Sequence, residues 1–207
     1  MEVQLGFFTA ILDLLGLDLR FILGGIVLIG ASLYWLHRKQ ALTVKIGIIL
    51  AVFYYYLTIM LSHIVGIPTI KEFIRLSGLG EPIFNPNVSL IPLADGFSLE
   101  FILNILCFVP LGFFSPLISK AYERVQNVLL LGFGFSLVIE VSQLFTLYRA
   151  TDVSDLIANT LGAFIGYLCF KCINQFTNHK LANQNRAAFG LPILYLAFAF
   201  IITFIQI

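Results

Sequence analysis

The chain has 207 residues, of which 59% are hydrophobic and only 11% charged, with 12 Lys and Arg against 11 Asp and Glu. Soluble domains carry about a quarter charged residues, and the mean hydropathy here is +0.97, so composition argues for a membrane protein. A net charge of +1 gives no electrostatic basis for a nucleic-acid partner. Cys107, Cys169 and Cys172, all in or at the end of apolar runs, argue against a disulfide scaffold.

In chain order, the first twenty residues have no basic leading region and no small-residue cleavage pattern, so they do not read as a removable signal peptide. Glu2, Thr9, Asp13 and Arg20 recur at steps of seven, four and seven, one helical stripe. That predicts a helix in the membrane interface or an extension of the first span. A spanning helix needs about 20 apolar residues, with about 17 tolerable when flanking groups snorkel. Six runs meet this: 21–36 (short, between Arg20 and His37-Arg38), 44–65, 99–118, 127–147, 153–172 and 188–207. The last four are apolar all round, which excludes surface helices. The expected fold is therefore an all-α, polytopic membrane bundle of about six spans.

Two connections differ in kind. Residues 66–98 form a long segment with Pro68, Pro82, Pro86, Pro92, Gly78 and Gly80, the composition of a lid, a binding loop or a linker. The turn 148–152 is short, so the spans on either side are antiparallel neighbours. Arg38, Lys39, Lys45, Lys120, Arg124, Lys171, Lys180 and Arg186 lie on one side of the membrane, and Arg20, Lys71, Arg75 and Arg149 on the other. Eight against four puts the first set in the cytoplasm and residues 66–98 and 148–152 outside.

The segment 139–160, IEVSQLFTLYRATDVSDLIANT, is polar beyond what a connection between two spans needs. At a rise of about 1.5 Å per residue, Asn104, Glu140 and Asn159 lie about 8, 10 and 9 Å inside the outer ends of their spans, one common level. Ser136, Glu140 and Gln143 share one face of the fourth span, and Asp152, Asp155 and Asn159 one face of the fifth. An ionisable group facing lipid costs at least ~2.5–3.5 kcal/mol, so Glu140 is expected to face the bundle or a wet cavity. Arg149 is the natural counter-ion for Asp152, Asp155 or an anionic ligand. The candidate binding set is Asn104, Glu140, Gln143, Arg149, Asp152, Asp155 and Asn159. A plainer account stands beside it: Thr151 or Asp152 caps the fifth span with Asp155 as capping-box partner, and the remaining polar groups join helices at about 0.6 kcal/mol per bond.

The segment from about residue 91 to 167 resembles the VanZ-like family. The pieces that carry the resemblance are IPL at 91–93, LNILCFVPLGFFSPL at 103–117, SLVIEVSQLF at 136–145, Arg149, and DVSDLIANTLGAFIGY at 152–167, in family order and spacing. The chain departs from the pattern in reading FTLYRA before and at the arginine, where a glycine or proline often precedes it, and IPL where the last place is often Phe. The resemblance implies a bacterial polytopic membrane protein linked to low-level resistance to teicoplanin. It implies no particular reaction. On this reading residues 1–43 are an interfacial helix and an added span, 44–173 the VanZ-like core, and 174–207 a cytoplasmic loop with a final added span.

Other motifs carry less. Cys169 and Cys172 form a CxxC with no second ligand pair for zinc and no thioredoxin-like context, so they read as interfacial packing. His63 reads as interface decoration or as an addition to the Glu140 site. Gly162 and Gly166 form a GxxxG that lets the fifth span pack closely. Pro110 is expected to bend or loosen the third span.

Three functions are weighed. The first is a non-catalytic protein whose polar outer-leaflet cleft binds or modulates a lipid or lipid-linked envelope precursor. The second is an intramembrane hydrolase or transferase on such a lipid, with Glu140 and Asp155 as general acid and base, or with Glu140, Asp152 and Asp155 around Mg²⁺. The third is transport, against which stand the small size, the lack of an internal repeat and the one-sided polar groups. No cofactor is expected in the first reading.

Overall fold

The computed structural model describes residues 18–93, 96–147, 150–177 and 190–206. Helix α1 (Leu19–Arg38) is followed by α2 (Val44–Ile59), which runs directly into a π-helical turn at Met60–Val65. The chain continues through α3 (Ile70–Leu79), the two-residue strand β1 (Val88–Ser89), α4 (Leu99–Ile118), a 3₁₀ turn at Lys120–Glu123 and α5 (Val125–Gln143). The strand β2 (Thr151–Asp152), α6 (Val153–Phe176) and α7 (Leu191–Phe204) complete it.

Among the described residues, five helical runs are long and apolar enough to cross a membrane: α1, the run that begins with α2, α4, α5 and α6. Large apolar side chains such as Ile26, Val27, Ile48, Leu106 and Leu130 are exposed around the outside, as a lipid-facing surface requires and a soluble monomer avoids. The chain is an all-α, multi-pass membrane bundle. The expected sixth span is shorter than its apolar run: α7 has 14 residues, about 21 Å at helical rise, against about 30 Å of hydrocarbon. The expected N-terminal stripe up to Asp13, together with Lys180 and Arg186, lies outside the described residues.

The bundle is centred on α4, α5 and α6. Gly162 of α6 lies against the Ile105 carbonyl of α4, and Gly166 against that of Val109, so close that a Cβ at either glycine would overlap that oxygen. The contacts climb both helices in the same direction, so α4 and α6 run parallel with α5 antiparallel beside them. The GxxxG expected to allow close packing does so here. The expected loosening at Pro110 is not found: α4 is continuous through Pro110 and Pro116. Proline's missing N–H leaves one carbonyl without its intrahelical donor, and packing against α6 and α2 holds the helix regardless. Part of that hold is Tyr56 of α2, whose hydroxyl donates to the Cys107 carbonyl at 2.7 Å.

The remaining helices wrap a second apolar layer. Phe53 and Tyr54 of α2 pack against Tyr195 of α7, and the Tyr54 hydroxyl donates to the Phe21 carbonyl of α1 at 2.9 Å. The far end of α7 is tied to α3, where Lys71 N–H donates to the Gln206 carbonyl at 2.8 Å and Phe73 stacks edge-on with Phe204. The expected loop 66–98 thus contains a helix. Thr69 caps it by accepting the Glu72 N–H at 3.2 Å, and Gly80 ends it in the left-handed region at φ 71°.

Candidate functional site

Helix α5 stops at Gln143, four residues before its apolar run ends. The stop has a physical cause. Thr146 donates its hydroxyl to the Gln143 carbonyl at 2.8 Å, and Asn85 of the long loop donates its backbone N–H to the Leu144 carbonyl at 2.9 Å. Carbonyls that a longer helix would have used internally are taken by these partners. The connection to α6 is therefore 144–152 and not the expected tight turn 148–152. Tyr148 and Arg149 lie outside the described residues, so the structure assigns Arg149 no contact.

The long loop crosses this end of the bundle and is stitched to it. Val88 and Ser89 pair in parallel with Thr151 and Asp152. Thr151 N–H donates to the Asn87 carbonyl at 2.8 Å, and Leu93 N–H donates to the Ser154 hydroxyl at 3.0 Å.

Beneath the strap the polar side chains fall on two levels, where one was expected. On the upper level, the Glu140 carboxylate accepts the Asp152 N–H at 2.8 Å, and the Glu140 carbonyl accepts the Thr151 hydroxyl at 2.9 Å. Asp152 is the N-cap of α6 and takes the Ser154 N–H at 2.7 Å. One turn lower, Asn159 donates to the Ser136 hydroxyl at 2.9 Å. Because α5 ends at Gln143, Glu140 lies only about 5 Å from its helix end at a 1.5 Å rise, shallower than Asn159 in α6. Asn104 is half-buried on the stripe of α4 that also carries Phe101 and Phe108. Its neighbour Ile105 meets Gly162, which sets Asn104 near the height of Asn159.

The capping account is met only in part. In a capping box, Asp155 would reach back to the N-cap N–H; here Glu140, from another helix, holds that group. Asp155 is half-buried, and both it and Asp152 lie near enough to act electrostatically on Glu140. Glu140, Gln143 and Asn159 are buried, each with 5% or less of its surface exposed. Gln143 donates to the Val65 carbonyl at 3.1 Å, so the π-helical turn of the second span also reaches the site. Two acceptors are left over: Gln143 Oε1 and Asn159 Oδ1 are buried without a hydrogen-bond partner.

Among the described residues, no three His, Cys, Asp or Glu side chains are grouped to hold a metal ion. His63 is exposed, and Cys169 and Cys172 are exposed on α6. The Val65 and Asn85 contacts were not anticipated. They are backbone-mediated, and the only sequence signal near them is the end of an apolar run and a polar loop residue.

The profile of the VanZ/LLP1 family matches residues 47–174, from within α2 to the last turn of α6. Helices α1 and α7 lie outside the match. Protein VanZ of Enterococcus faecium is 29% identical over 105 residues, which cover 50% of this chain and 63% of that protein. The chain thus matches less than two thirds of that relative's length. No solved structure matches the chain. With well over half of its residues inside the family profile, the chain belongs to the VanZ/LLP1 family.

Proposed function

We propose that the strapped end of the bundle is a non-catalytic binding site for the polar head of a lipid or lipid-linked cell-envelope component, and that occupancy of this site underlies a link to teicoplanin resistance. The observation that carries the reading is the pair of unpartnered, buried acceptors Gln143 Oε1 and Asn159 Oδ1. A buried polar atom without a partner costs about 1–3 kcal/mol. A head group bearing hydroxyls or amide N–H groups relieves that cost and donates further bonds to Glu140, Asp152 and Asp155, with Asn104 as an additional polar partner. Arg149, in the same connection by sequence, supplies the contact to a phosphate or carboxylate. The bias of Lys and Arg among the loops supports an outward-facing site, on the side where envelope precursors and glycopeptides meet.

The test is to express the chain in a teicoplanin-susceptible bacterium as wild type, Glu140→Gln and Arg149→Ala, with membrane insertion checked in each. Tolerance conferred by the wild type and lost in both variants is the expected result. Undiminished tolerance in both overturns the reading.

A second reading, an intramembrane hydrolase or transferase using Glu140 and Asp155, draws on the proximity of these carboxylates. Turnover of a labelled envelope lipid by the purified protein, lost in Glu140→Gln, is the outcome that favours it over simple binding.

A further inference from the structure

At the opposite end of the bundle, a groove of about 490 Å³ opens between α5 and α7. Its α5 wall is Asn127, Leu130, Leu131, Gly134, Phe135 and Val138, and its α7 wall runs from Ile193 to Ile201. From Asn127 to Val138 it extends about 16 Å along the helix at a 1.5 Å rise, about half of the ~30 Å hydrocarbon thickness. The groove therefore runs from one membrane surface to the midplane, the depth of one leaflet. Its walls are apolar except at the surface end, where Tyr122 and Asn127 close it. Asn127 donates to the Ala121 carbonyl at 2.7 Å, which fixes the 3₁₀ turn against the mouth.

The turn that carries Tyr122 is basic. Lys120 and Arg124 flank Tyr122 in the turn, and both are exposed. The Tyr167 hydroxyl donates to the Glu123 carbonyl at 2.8 Å, and the Lys171 ammonium lies 5.7 Å from the Tyr167 ring centroid. Among the described residues, three cations therefore stand around the turn with the half-buried Glu123. A second groove of about 440 Å³, between α5 and α6, has Thr160 as its one polar lining residue; neither groove has a cation in its own walls, and the first differs in being closed at one end by Tyr122 of the basic turn.

We infer that the groove between α5 and α7 holds one acyl chain of an anionic phospholipid, whose phosphate is drawn to Lys120 and Arg124. Chain and head group fit together because the groove is one leaflet deep and Lys120 and Arg124 flank Tyr122, which closes its surface end. An anionic lipid gains about 1 kcal/mol per nearby Lys or Arg at a membrane surface, so the head group sets the preference and the groove sets the place. This inference does not depend on the function proposed for the other end of the bundle.

The test uses the full chain, purified in detergent and presented with equal amounts of dioleoylphosphatidylglycerol and dioleoylphosphatidylcholine. Bound lipid is counted by native mass spectrometry. At least fivefold more phosphatidylglycerol than phosphatidylcholine is expected on the wild type, falling to near parity in Lys120→Gln/Arg124→Gln. Gly134 offers a second probe, because a Cβ there meets nothing within 4 Å. Gly134→Phe fills the groove and is expected to lower retention of both lipids severalfold. Equal binding of the two lipids by the wild type, or unchanged retention in a folded Gly134→Phe, overturns the inference. If Gly134→Phe fails to fold, the charge variant decides alone.

Discussion

The Glu140 carboxylate accepts the backbone N–H of Asp152 at 2.8 Å, which joins the last turn of α5 to the first residue before α6. An acid buried in a membrane bundle thus has a structural task, whatever else it does. Glutamine keeps an acceptor at that position and alanine does not. Glu140→Gln is expected to unfold within about 0.5 kcal/mol of the wild type, while Glu140→Ala, which leaves the partly buried Asp152 N–H without its acceptor, loses about 1 kcal/mol or more. Thermal or denaturant unfolding in one detergent checks the ordering. If the two variants match, the bond contributes nothing.

The contact of α4 with α6 predicts a larger effect. A side chain at Gly162 meets the Ile105 carbonyl and the Phe108 Cβ with no flexible group able to give way. Overpacking of this kind costs about 1–3 kcal/mol or more. Gly162→Leu is expected to reduce the folded yield severalfold, read as the monodisperse fraction on size exclusion after matched expression. Gly134→Leu, with open space around its Cβ, serves as the tolerated control.

These positions show why the sequence revealed some features and hid others. The spans were legible because apolar length is a local property and the membrane imposes it. The GxxxG was legible because closeness of approach requires the missing side chain. The end of α5 was not, because Leu144, Phe145 and Leu147 continue the apolar run while a distant residue, Asn85, takes the carbonyl that would have extended the helix. The expected common level of Glu140 and Asn159 failed for the same reason, since depth was counted from a helix end that tertiary contacts had moved. Helix α3 was less legible. Thr69, Glu72 and Gly80 are a start and stop signal, but the four prolines spread over residues 66–98 favour a loop.

That cap makes a third prediction. Thr69 accepts the Glu72 N–H, and loss of such a cap costs about 1 kcal/mol. Helix α3 has one buried residue, Leu76, among its ten, and beyond the ties of Lys71 and Phe73 to the end of α7 its hold on the bundle is light. Thr69→Ala is expected to raise hydrogen exchange across 70–79 about fivefold, with exchange in α4 and α6 unchanged. A global rise instead would mean that α3 and the core unfold together.

A fourth concerns the link between α2 and α4. Tyr56→Phe removes only the hydroxyl that donates to the Cys107 carbonyl. Bonds between membrane helices average about 0.6 kcal/mol, so a small loss of that order is expected in the same unfolding assay. A loss above about 2 kcal/mol would show that the bond also holds α4 together around Pro110.

The last prediction separates stability from binding at Asn159. Its side-chain nitrogen donates to the Ser136 hydroxyl, while its oxygen is buried without a donor. Replacing Asn159 with Leu removes the unpartnered oxygen together with the bond to Ser136. The serine hydroxyl can then donate to the carbonyl one turn back in its own helix, a common arrangement for helical serines. Removing an unsatisfied buried group is often neutral or stabilising. Asn159→Leu is therefore expected to unfold at or slightly above the wild-type temperature while losing the teicoplanin tolerance proposed for the site. A variant that is destabilised and still confers tolerance would assign Asn159 to helix packing. A variant that is more stable yet inactive is the signature of a polar group kept for a ligand.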